Sequence, residues 1–235
     1  VAGDGAVPPE DGQAPGFGDG VAPPPPPSVR AQLLATEHWG LLAARSSTQS
    51  EVLTRITMFL TLVSAGLVSL ALIGQATDFS EGFGIFAIVV LAFAVLVGVL
   101  TQIRVFNAAM DDLMYVVAMN RLRAAYAELD PGIERYFMAS THDDAAGVTQ
   151  TYYFLGSRRT QVAGSSMVFM VAVNSALLAL LVAAIAMALG ATTPVVVGIG
   201  ALCGIVFLLA SLWWGSRPFF AFVRDGVPMF PTPAG

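Results

Sequence analysis

Hydrophobic and polar positions fall in long blocks along this chain. Residues 56–73, 83–100, 167–189 and 195–214 are apolar runs without a single charged side chain. As a helix rising 1.5 Å per residue, the first run is ~27 Å long, close to the ~30 Å hydrocarbon thickness of a bilayer. The links between the first and second runs (74–82) and between the third and fourth (190–194) are too short for a domain, so each pair forms a hairpin. The pattern predicts an all-α membrane protein with four transmembrane helices in two hairpins, at 56–101 and 162–215.

The polar blocks complete the layout. Residues 102–161 separate the hairpins and hold six of the eleven arginines. Beyond the second run there is no Pro or Gly until Pro131, and apolar residues recur at Ile103, Phe106, Met110, Leu113 and Val117. Spacings of three and four keep these on one helix face, so the second span is expected to continue outwards to about Leu129. The segment 29–55 has helix formers and is about as long. Ser28 is the expected N-cap, after which the helix leads into span 1. Within it, residues 46–50 are polar and Thr48 stands three before Glu51, a capping-box spacing. The helix either restarts there or runs on. The two extensions, with a lead-in to the third span at 149–161, are expected to pack as a helical stalk continuous with the spans. Asp130, Pro131 and Glu134 signal a short helix through Met138, and 139–148 reads as loop.

Arginines set the orientation. Arg30, Arg45 and Arg55 precede the first span, Arg104 to Arg159 lie between the hairpins, and Arg217 and Arg224 follow the fourth. The two opposite links carry none. By the positive-inside rule both termini and the middle interval are cytoplasmic, in a plasma (inner) membrane. Trp213, Trp214, Phe219 and Phe220 surround Arg217 and are expected either as an interfacial anchor or as a tail packed on the bundle.

Composition changes the picture little. The chain is 56% hydrophobic and 11% charged, far from a soluble domain. All basic residues are Arg, a bias expected of a high-GC bacterium. The net charge of −5 argues against nucleic acid. Residues 1–28 are rich in Pro and Gly and read as a disordered acidic tail without signal-peptide character, its proline run a solvated spacer or a docking ligand. Residues 216–235 read as a cytoplasmic tail. Cys203 lies in an apolar run and is expected to be an inert packing residue.

Candidate chemistry is sparse. His142, Asp143 and Asp144 are the one cluster of potential metal ligands, but adjacent residues do not converge easily on one ion, and the expected reading is a solvated turn. No metal or cofactor is expected. Arg121 and Arg123 offer a pair for an anionic group, or salt bridges with Asp111, Asp112 or Glu128. His38 and Trp39 read either as an interface patch or as residues packed beneath the middle helix. No ionisable group lies within the spans, which argues against coupled transport. Asn174 is expected as interhelical glue, and Gly200 with Gly204, Gly198 nearby, and Ala94 with Gly98 as close-packing positions.

The segments EHWGLLAARS (37–46), MNRLRAAYAELDPGIERYF (119–137) and THDDAAG (141–147) resemble a family of uncharacterised actinobacterial multi-pass membrane proteins over about residues 33–160. The resemblance implies a lineage and an architecture, with no activity or ligand. A looser likeness of layout exists to two-span bacterial conflict effectors. The expectation is therefore a non-enzymatic scaffold or accessory subunit that contacts the lipid bilayer, associates with itself and meets a cytoplasmic or membrane protein partner. The alternative is an oligomeric, channel-like or membrane-perturbing effector, with Thr57, Thr61, Ser64 and Ser69 as its polar stripe.

Overall fold

The computed structural model describes residues 25–153, 156, 160 and 164–233. Four helices are long and apolar enough to cross a membrane: α1 (Pro27–Ala76), α2 (Glu81–Leu129), α4 (Ser166–Ala188) and α5 (Thr193–Asp225). Among the described residues between α2 and α4 lie a 3-10 turn (Glu134–Tyr136) and the short α3 (Ala145–Tyr152). No strand occurs among the described residues.

α1 runs without a break through residues 46–50. Ser and Thr there do not end the helix, because Arg45, Gln49 and Glu51 all make contacts to α2 that hold the backbone in register. The helix begins at Pro27, with Pro26 in the N-cap position and no side-chain cap, in place of the expected Ser28 cap. Proline suits this first position because its missing N–H would have no helical partner.

α1 and α2 form an antiparallel pair over nearly their whole lengths, and ion pairs fix its register. Arg30 meets Glu128 at 2.7 Å, Arg45 meets Asp112 at 2.6 Å, and Glu51 meets Arg104 at 2.7 Å. The turn joining them is tight: Asp78 and Phe79 have positive φ of 47° and 54°. The Phe79 ring lies over Gly74, where an added Cβ would strike it, and packs edge-on to Phe83 at 5.3 Å.

The apolar halves of α1, α2 and α4 share one core, with Phe59, Leu91, Ala94, Met170 and Leu177 buried. α5 packs chiefly on α4. Gly200 approaches the Ala179 carbonyl and Gly204 the Ser175 carbonyl, so closely that a Cβ at Gly200 would collide. Gly198 has nothing within 4 Å of its added Cβ and faces away from α4, so it is not part of this contact. Lipid tails are as apolar as these side chains, so close approach and van der Waals contact, rather than expulsion of water, hold the spans together.

α5 does not stop at Trp214. It continues past Gly215, which sits against the Phe106 ring, and through Pro218 to Asp225. Phe222, near its end, joins a second core with Leu113, Val116, Met119 and Val148. The region expected as a tail is thus a helical arm lying along α2. Trp214 packs on Phe106 at 5.6 Å and the Arg217 guanidinium covers the Trp213 ring at 3.6 Å. α3 starts four residues before the expected lead-in helix at 149–161 and ends at Tyr152; most of the rest of that segment, with Arg158 and Arg159, and most of the expected tail 1–28 lie outside the described residues.

Candidate interaction site

The polar halves of the helices are organised around an enclosed amide, Asn120, an enclosed carboxylate, Asp143, and a partly buried one, Asp112. Asn120, on α2, is fully buried. Its Nδ2 donates to the His142 carbonyl at 2.7 Å, and its Oδ1 accepts from Arg123 at 2.7 Å and Thr151 at 3.0 Å. One side chain therefore ties α2 to the turn 139–144 and to α3. An amide suits this place because it supplies donor and acceptor together.

Asp143 is the second hub. Its side chain is 0% exposed, and it accepts from Arg121 Nε at 2.6 Å, from the Phe230 N–H at 2.8 Å and from the Met229 N–H at 3.0 Å. Its own N–H donates to the Phe230 carbonyl at 3.2 Å. Asp144 caps α3 by accepting from the Gly147 N–H at 2.8 Å, and also accepts from the Thr232 N–H at 2.7 Å and hydroxyl at 2.9 Å. The C-terminal segment 226–233 is thus strapped across the turn by its main chain. Burial opposes the charge on Asp143, but the Met229 and Phe230 N–H groups and Arg121 outweigh it and hold the carboxyl below the usual aspartate range. Asp144 is shifted the same way: burial opposes its charge, and the Gly147 and Thr232 donors prevail.

This arrangement corrects the reading of His142, Asp143 and Asp144 as a solvated turn. Both carboxylates are taken up by N–H donors, and no group of metal-ligating side chains occurs among the described residues. It also reassigns the arginines. Arg121 and Arg123 do not reach Asp111, Asp112 or Glu128, which pair instead with Arg104, Arg45 and Arg30. Arg123 is half-buried beside an amide, and burial, then the Arg45 cation, lowers its pKa.

Asp112 is the third anchor, on the side of α2 that meets α1. It accepts from Arg45 Nε at 2.6 Å, from Tyr152 Oη at 2.6 Å and from Gln49 at 3.1 Å. Burial and then this hydrogen bond push the Tyr152 hydroxyl well above its ordinary pKa, so it remains a donor. A cavity of about 580 Å³ opens beside this group, between α1, α2 and the start of α4, and the charges on its wall, Arg45 and Asp112, pair with each other.

His38 and Trp39 part company. His38 is half-buried, 6.3 Å from the Tyr126 ring, and burial, then Arg123, holds its pKa below 6.5, so the ring is neutral near pH 7. Trp39 is 72% exposed and does not pack beneath the middle helix. Deep between α2 and α4, Asn174 Nδ2 donates to Gln102 at 2.8 Å, and a Cβ at Gly98 would collide with the Asn174 amide and the Phe59 ring.

The C-terminal strap was not foreseen. Its signal was present: Asp144 stands three residues before Gly147 at the start of a helix, which identifies an N-cap, and prolines at 228, 231 and 233 mark an extended segment. Neither signal says that the two meet. No protein-family model, curated protein or solved structure matches this chain.

Proposed function

We propose that this chain is a non-enzymatic membrane scaffold or accessory subunit, whose apolar helices anchor it and whose polar end presents a surface to a protein partner. The arginine distribution supports placing that end, with both termini, on the cytoplasmic side of an inner membrane. The observation that carries the reading is the strap. Two buried polar side chains of this end, Asn120 and Asp143, are committed to holding α2, α3 and residues 229–230 in one arrangement. Such a network fixes a shape, and a fixed shape on a membrane anchor serves recognition.

The experiment is extraction in native nanodiscs followed by identification of what co-purifies. A defined partner that is lost in Arg121→Gln supports the scaffold; a partner list unchanged by that substitution removes its basis. The channel reading has weaker support. Thr57 and Thr61 are exposed on α1, but their hydroxyls donate to the Leu53 and Thr57 carbonyls of their own helix at 2.9 Å. Ion flux through liposomes that vanishes in Thr57→Val with Thr61→Val would favour the channel over the scaffold.

A further inference from the structure

We propose that the Asp143–Asp144 turn is a recognition site for an extended, proline-flanked peptide of a partner protein, and that the chain's own C-terminal segment is its resident competitor. The proposal rests on the scaffold reading and names the partner's chemistry.

The strap displays what the site selects. Its N–H groups at Met229, Phe230 and Thr232 all donate to the two carboxylates, and Phe230 accepts in return from the Asp143 N–H. Pro228 and Pro231 have no N–H and stand at the positions where none is needed. Prolines flanking the donors keep the segment extended, so little ordering entropy opposes its binding. The recognition is therefore of main chain, set by the positions of donors and prolines.

The strap also fills its site poorly. Val227 and Met229 are 88% and 69% exposed, and only Pro228 and Phe230 are partly buried, so the hydrogen bonds carry much of what holds the strap. Beneath it a cavity of about 360 Å³ remains, walled by Arg121, Asp143, Asp144 and Phe222. A groove of about 260 Å³ continues from Arg121 and Phe222 along α2, over Met110, Leu113, Met114 and Val117. The spacing of these residues lays them along one helix face. A peptide not tethered to α5 can place apolar side chains in that space, which the strap, leaving α5 at Gly226, cannot. An occupant held by hydrogen bonds over an unfilled cavity, beside an apolar groove that it leaves empty, is one that a better-fitting ligand displaces.

The test uses the full chain in nanodiscs and a fluorescent peptide copying residues 226–235. Met229→Pro with Phe230→Pro deletes two donors from the resident strap and leaves the segment extended. This variant should bind the peptide saturably, and the unaltered chain about tenfold more weakly, because its site is mostly filled. Adding Asp143→Asn to the double variant should abolish binding while helical circular dichroism is unchanged. Absence of binding to the double variant, binding that survives Asp143→Asn, or equal binding to the unaltered chain overturns the proposal. If the peptide fails while Arg121→Gln still removes a co-purifying partner, the scaffold reading stands and its partner docks elsewhere.

Discussion

The two ends of the long helices are built on opposite physics. In the apolar halves, contact is made by what is missing: Gly98, Gly200 and Gly204 have no side chain, and α4 comes within touching distance of α2 and α5. Among the described residues, the one side-chain hydrogen bond there between helices joins Asn174 to Gln102. In the polar halves, contact is made by charge. Arg30, Arg45 and Arg104 bind α1 to α2, and Asp143 and Asp144 bind the C-terminal strap. The difference teaches where specificity resides. Among lipid tails a shape match suffices, whereas in water the same helices need paired polar groups that penalise every other register.

Breaking the polar half at its most enclosed group should have the largest effect. Asp143→Ala removes the acceptor of Arg121 and of the Met229 and Phe230 N–H groups, and losing hydrogen bonds to a charged group costs about 1.5–3 kcal/mol. Thermal unfolding in detergent, with limited proteolysis of the C-terminus, measures it. Acid should mimic this in the unaltered chain. Both strap carboxylates have folded pKa values below the usual 3.8, so their stabilisation is complete above that value and is lost as the pH falls below it. The strap should therefore stay docked at pH 5, as read by protection of the C-terminus.

The apolar half should respond to added volume instead. Gly204→Leu forces a side chain against Ala179 and the Ser175 carbonyl, and overpacking costs about 1–3 kcal/mol. Gly198→Leu, on the open face of the same helix, should be close to neutral, and equal loss of thermal stability in the two variants would refute the assigned face. Asn174→Leu should cost less, about 0.6 kcal/mol, the average for hydrogen bonds between transmembrane helices, as measured by a double-mutant cycle with Gln102. The smallest effect belongs to Arg30→Gln. Its bond to Glu128 is about half exposed and contributes about 0–1 kcal/mol, which 0.5 M salt should erase.

The same contrast governs how much was legible in the sequence. The four apolar helices follow from the hydropathy blocks, because membrane insertion is decided locally, residue by residue. Gly200 and Gly204, four apart, declare one face of α5 for the same reason. The polar half depends on distant pairs: Arg121 with Asp143, Asp144 with Thr232, Tyr152 with Asp112. Nothing local distinguishes Arg121 from Arg123, although one binds a buried carboxylate and the other an amide. The break weighed at residues 46–50 illustrates the point. Local propensity left it open, and the partners of Arg45, Gln49 and Glu51 on α2 close it.

The central claim, that the C-terminal segment is clamped by the Asp143–Asp144 turn, is tested most directly by amide hydrogen exchange of residues 226–233 in the nanodisc-embedded chain. Slow exchange at Met229, Phe230 and Thr232, lost in Asp143→Asn while α2 stays protected, is the predicted result. Exchange at those three amides as fast as in a free peptide would contradict it.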